Sequence, residues 1–286
     1  MKKCLFHITG ICAIMPALCA FMHCSSPTTT STDTATFTSY DSAGSQLMTN
    51  GRFLLLYPGD TAVFLGTRHC STAVGGRLQA TSVDSVRYQT ITHSTQWITV
   101  DDSDYAVYPQ QQEFGAVCVD SQTYWVTRYF ERTGSDVRQR AYRDAYGLCV
   151  PVESMVMPET LIIGNNWPAG PILPFAVDVG NAAVEMDGYG FAEKAMESWQ
   201  HGIYGYGQGV MVVFYYSLNG EGTQGGEAVC VSGTITIRSR LIKDVGMLTS
   251  EITTRIQQTQ QEGRAQLRIE HIYLERSGGY VLPFPE

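Results

Sequence analysis

Lysine is nearly missing from this chain. After residue 3 only Lys194 and Lys243 remain, and almost every other cation is arginine. The 286 residues carry 19 basic and 27 acidic side chains, a formal charge of −8. That balance excludes nucleic acid as a partner, because such binding needs clustered cations to displace counterions. It argues equally against broad electrostatic attachment to anionic lipid. Chemical signatures are scarce too. The sequence has no Cys-x-x-Cys, no His-Glu-x-x-His, no Gly-x-Ser-x-Gly and no Gly-Lys-Ser/Thr. These absences remove a thioredoxin-type redox pair, a metalloprotease helix, a hydrolase nucleophile turn and a phosphate-binding loop. Long apolar runs are missing outside the amino end. There, the 18 residues from Leu5 to Met22 are barely long enough to span a bilayer, and Pro16 interrupts them.

What the amino end does contain is an address. Lys2 and Lys3 precede the apolar run, Cys24 follows it, and Ser25-Ser26-Pro27-Thr28-Thr29-Thr30-Ser31-Thr32 comes next. A positive segment, a hydrophobic segment and a polar exit read as an export signal. The order resembles the signal of bacterial lipoproteins, in which the first mature residue is a lipid-bearing cysteine. Phe21 and His23 depart from the usual Leu and small residue of that motif. The resemblance implies a signal over residues 1–23, lipidation at Cys24, and a protein anchored in the cell envelope, at an outer membrane facing periplasm or surface. Cleavage near Ala17-Leu18-Cys19-Ala20, or an uncleaved anchor, are the alternatives. Removing residues 1–23 leaves 17 basic against 27 acidic residues, a formal charge near −10. The Ser/Thr/Asp-rich stretch of residues 24–47 cannot bury enough apolar surface to offset its ordering entropy, so a disordered tether is expected there.

The body reads as mainly β. Val210–Tyr216 is a continuous apolar, β-prone run suited to a strand buried on both faces. Thr234–Leu241 and Arg268–Leu274 alternate in part, and 28 glycines with 16 tyrosines suit twisted sheet and tight turns. One short helix is expected near 190–201, where Phe191, Ala195, Met196 and Trp199 share a face at helical spacing and Gly202 would end it. An internal echo suggests duplication. Leu56–Ala62 resembles Leu161–Trp167, Ala116-Val117-Cys118-Val119 recurs as Ala228-Val229-Cys230-Val231, and Arg143–Cys149 resembles Lys243–Thr249. The offsets are 105, 112 and about 100 residues, in preserved order. The expected organisation is therefore a β-rich unit over 48–156, a second over 157–277, and a tail over 278–286.

The second unit resembles a loose class of bacterial exported domains that open on a Gly-x-x-Trp turn and close on a Gly-Val-Gly-type turn. Gly164-Asn165-Asn166-Trp167 and Lys243–Glu251 carry that likeness. The architecture looks similar to the curved antiparallel sheets, open or half-barrel, of Lol-type lipoprotein carriers. The resemblance implies a concave apolar surface. If such a surface holds a ligand, the aromatic residues Trp167, Trp199, Tyr204, Tyr206 and Phe214 are the candidates to line it. The expected function is non-enzymatic: binding or carrying a hydrophobic ligand, or, as the alternative, docking another envelope protein. No catalytic residue, metal or cofactor is assigned. Asp101-Asp102-Ser103-Asp104 lacks the glycine of a calcium loop and reads as a solvated turn. Cys70, Cys118, Cys149 and Cys230 are disulfide candidates, an even number in an exported chain, with three pairings open and buried thiols as the other reading.

Overall fold

The computed structural model describes residues 46–49, 56, 58–116, 124–133, 136–143, 149–158, 160–169, 183–201, 205–224, 227–243, 245–260 and 265–279. The signal, Cys24 and most of the expected tether lie outside them. The last tether residues, Gln46 and Leu47, begin strand β1 (Gln46–Thr49). Every described element is a strand, and among the described residues there is no helix.

One 13-stranded antiparallel sheet forms the body. The chain meanders through β2 (Thr61–Val74), β3 (Arg77–Thr92), β4 (Gln96–Val100), β5 (Ser103–Ala116), β6 (Tyr124–Thr133), β7 (Asp136–Arg143) and β8 (Cys149–Met157). Short β9 (Thr160–Ile162) pairs with β1 outside that sheet, and β10 (Asn166–Pro168) returns to it. Long strands β11 (Ala183–His201), β12 (Gly205–Gln224), β13 (Glu227–Ile242), β14 (Gly246–Gln260) and β15 (Ala265–Gly278) complete the meander. The last strand, β15, pairs with β2, so the residues of both expected units lie in one sheet. Gly66 makes that junction possible: a Cβ there would strike the carbonyl oxygen of Tyr273 on β15.

The sheet is rolled. Phe64, Val86, Tyr88, Phe114 and Met157 share one buried cluster with Val212, Phe214, Tyr216, Ile235, Ile237, Ile252, Ile272 and Leu274. Nine strand spacings separate β12 from β8 along the sheet, roughly 43 Å if it were flat. Only curvature brings their inner faces to one core. Alternation sets the faces. On β14 Ile252, Thr254 and Ile256 are buried while Glu251, Arg255 and Gln257 are exposed; on β15 Ile272, Leu274 and Arg276 are buried while His271, Tyr273 and Glu275 are exposed. A membrane-spanning barrel shows the opposite pattern, apolar outside and polar inside.

The expected helix at 190–201 is a strand. Those residues form the second half of β11 and pair along β12 from Ala192↔Val212 to His201↔Gly205. Register shifts between Ala192 and Lys194 and between Met196 and Trp199 insert extra residues. Two β-bulges stretch the two-residue period and so imitate helical spacing. Asp101 and Asp102, with φ of 47° and 60°, form a two-residue hairpin loop between β4 and β5. That backbone is the one a type I′ turn requires, and short Asp side chains tolerate it.

Candidate functional site

The rolled sheet forms a cavity of about 200 Å³ that opens to the outside. Its two walls differ in chemistry because the strands that build them differ in what they place at inward positions. On one side Phe214, Ile237, Leu241, Met247, Ile252 and Leu274 from β12–β15 present hydrocarbon, interrupted by Ser239 and Ser250, whose hydroxyls bond each other at 3.0 Å. Val210–Phe214 is buried at every position, as its continuous apolar run requires. On the other side β3, β5 and β6 bring Tyr88, Thr90, Thr92, Gln110, Gln112 and Arg128 inward.

Register aligns these polar groups. Thr92 lies opposite Gln110, Gln110 opposite Arg128, and Arg128 opposite Tyr142 on β7. Gln112 Nε2 donates to Gln110 Oε1 at 2.8 Å, and Gln110 Nε2 donates to Thr92 Oγ1 at 3.3 Å. Arg128 Nη1 donates to Gln139 Oε1 at 3.2 Å, and Gln139 Nε2 reaches the Ala141 carbonyl at 3.5 Å. Bulges on β7 and β8 make the arginine contact possible. Register shifts between Tyr129 and Phe130, and between Gln139 and Ala141, turn Gln139 inward with Val137 while Ala141 joins Val107 and Tyr129 in a separate cluster.

Arg128 is the unusual member. It is only 2% exposed, and among the described residues no carboxylate pairs with it. Its Nε and the Oε1 of Gln112 are buried without a hydrogen-bond partner. Burial lowers the proton affinity of the guanidinium, while Tyr88, Tyr216 and Tyr142 around it act in the opposite direction. A guanidinium keeps its charge at any ordinary pH. Burial pushes the Tyr88 phenol up to about 12, against the opposing pull of Arg128. Tyr88 is therefore a neutral dipole at pH 7 and Arg128 is a cation. The second arginine at the cavity, Arg276, is committed to backbone. It donates to the carbonyls of Val245, Thr61 (3.4 Å) and Gly278 (3.3 Å), tying the β13–β14 turn to the start of β2.

Of the residues expected to line a ligand surface, Phe214 lines the cavity and Trp167 packs against it edge-on at 6.1 Å between ring centroids. Trp167 faces Gly190, where a Cβ would approach the indole to 2.6 Å. The backbones of Trp199 and Tyr206 pair near the β11–β12 hairpin, opposite Gly207 and Gln200, away from Phe214 along the strands. Tyr204 lies outside the described residues, as do the side chains of Trp199 and Tyr206.

Cys118 and Cys24 also fall outside the described residues. Cys70, Cys149 and Cys230 sit on β2, β8 and β13, half-buried and not joined to one another. Cys230 lies three strand spacings from β2, about 14 Å, far beyond the ~4.4–6.8 Å between Cα atoms that a disulfide spans.

Sequence reasoning passed over Arg128, Gln112 and Gln139. One signal was available: Val126, Arg128 and Phe130 alternate on β6, placing the arginine on an apolar face.

No protein family and no curated protein matches the sequence. Solved structures with similar strand arrangements include an outer membrane channel from Pseudomonas putida, at 11% identity and TM-score 0.32, covering 78% of this chain and 97% of that one. A candidate lipoprotein from Parabacteroides distasonis matches at 10% identity and TM-score 0.29, covering 82% and 99%. OmpT, an outer membrane protein of Vibrio cholerae, matches at 10% identity and TM-score 0.19, covering 75% and 99%. Likenesses this distant carry no argument about location or ligand.

Proposed function

We propose that this chain is a lipid-anchored protein of the bacterial cell envelope, held by Cys24, that binds or carries a hydrophobic ligand inside its rolled sheet without chemically altering it. The observation that carries the reading is the cavity, about 200 Å³ and walled on one side by six apolar side chains. Ligand sites are usually concave and mostly apolar, with a few placed polar groups. The lipid anchor rests on the amino-terminal order of charge, apolar run and cysteine, and the polar outer face of β14 (Glu251, Thr253, Arg255 and Gln257) supports a body that works in water beside the membrane. Organic-solvent extraction of the purified protein followed by mass spectrometry tests the reading. One stoichiometric hydrophobic species is expected, and protein that extracts clean and shows no uptake of apolar probes contradicts it.

A second reading has its own observation. On the outer face of β11 and β12, Tyr189 is 39% exposed and packs against Phe191 and Tyr215, with centroids at 6.2 and 5.5 Å. Such a patch suits docking of another envelope protein, and crosslinking in intact cells would favour this role if a single partner were captured through Tyr189.

A further inference from the structure

Building on the reading that the cavity takes a hydrophobic ligand, we propose that its occupant is a compact amphiphilic monocarboxylate whose anionic head pairs with Arg128 and whose tail lies on the Phe214–Ile237–Ile252–Leu274 wall. The cavity supplies both halves of that recognition. A buried cation is costly unless a counter-charge accompanies it. Arg128 has its Nε unpaired, one hydrogen bond to a neutral amide, and no carboxylate partner among the described residues. A guanidinium presents parallel N–H groups that fit the two oxygens of a carboxylate.

Charge and volume narrow the class. The charged residues lining the cavity are Asp60, Arg128 and Arg276, a net of one positive charge. One negative charge balances it, whereas a doubly charged phosphate would leave one charge uncompensated beside an apolar wall. An apolar cavity near 150 Å³ is filled by benzene. On that scale the space of about 200 Å³ holds a ligand of roughly eight to ten non-hydrogen atoms. The unpaired Gln112 Oε1 is an acceptor and would favour a neutral alcohol, so acid and alcohol of equal length separate the two groups' influence.

The test uses the mature chain, residues 24–286, carrying Cys24→Ser, which has neither the apolar signal nor an acyl anchor to require detergent. Octanoate, 1-octanol and octylamine are titrated calorimetrically at pH 7.5. Octanoate is expected to bind about tenfold or more tightly than octanol, the factor a charge-assisted pair supplies, and octylamine more weakly than either. Arg128→Met should erase the preference for acid over alcohol, and Arg128→Lys should keep part of it. Octanoate labelled at its carboxyl carbon gives a readout independent of any variant's folding: its bound carboxyl should titrate below the free acid. Equal binding of octanoate and octanol, or a bound carboxyl titrating at or above the free value, overturns the anionic head and leaves the hydrophobic-ligand reading intact. Failure of all three probes to bind overturns that reading and this inference with it.

Discussion

Replacing Arg128 and Gln139 together should stabilise the ligand-free protein. In the double variant Arg128→Met/Gln139→Leu both polar partners give way to apolar groups of similar shape. The gain comes from removing a cation held at 2% exposure with its Nε unpaired, and the loss is its 3.2 Å hydrogen bond to a neutral amide together with that amide's long 3.5 Å bond to the Ala141 carbonyl. Exchanging buried charges for well-packed apolar side chains is neutral or stabilising by roughly 1–4 kcal/mol. A single hydrogen bond contributes about 1 kcal/mol net. A net gain of about 2 kcal/mol corresponds to a Tm rise of roughly 4–8 °C for a domain of this size. Gln139→Leu alone should have the opposite sign, because it strips Arg128 of its amide and costs about 1–3 kcal/mol. Urea denaturation of the three proteins, with thermal melts alongside, gives the order: double variant above wild type, wild type above the single variant. A double variant less stable than wild type would refute the reasoning, since it would mean the buried cation is compensated in the ligand-free state.

Alkaline pH should weaken the fold through Tyr88. Its folded-state value of about 12 lies above the ordinary 10.0, so the native protein holds the phenolic proton more tightly than the unfolded chain does. That contribution is fully present below about pH 10 and is lost as pH rises through about 12, amounting to about 3 kcal/mol. Denaturation at pH 9 and pH 11.5 should show the decline, and Tyr88→Phe should remove this part of it. Gly66→Ala should destabilise by about 3 kcal/mol or more, since the new methyl group meets backbone rather than a side chain that can turn aside. Urea midpoints measure it, and a change under about 0.5 kcal/mol would show that β2 and β15 do not approach this closely. Phe214→Ala should cost about 3–5 kcal/mol by enlarging the cavity, and it should admit longer ligands than wild type does.

Much of the fold could be read from local pattern. Val210–Tyr216, Thr234–Leu241 and Arg268–Leu274 lie in β12, β13 and β15, where β-branched and aromatic residues meet a pleated, buried surface. The Asp101–Asp102 turn followed from composition in the same way. Bulges defeated the pattern elsewhere. In β11 two inserted residues turned a strand's period into something near 3.6, and Phe191, Ala195, Met196 and Trp199 looked like one helical face. The same device hid the site. Gln139 and Ala141 share parity in the sequence, yet the bulge between them sends one inward to Arg128 and the other into a different cluster. Phe214 was legible as a candidate lining residue because it sits in the continuous apolar run Val210–Tyr216. Arg128 was not, because its meaning depends on having no counter-charge, and that is a property of neighbours brought in from β3, β5 and β7. The union of both halves in one sheet is equally non-local, since it rests on pairing between β2 and β15.

The rolled sheet is the premise of both the cavity and its ligand. Methyl and aromatic NOE spectroscopy with labelled methionine, isoleucine and phenylalanine probes it most directly. The account predicts cross-peaks that connect Met157 on β8 with the wall of Phe214, Ile237 and Ile252, all of which line one cavity. A Met157 methyl group that sees only its neighbours on β7, with no link to β12–β14, would contradict it.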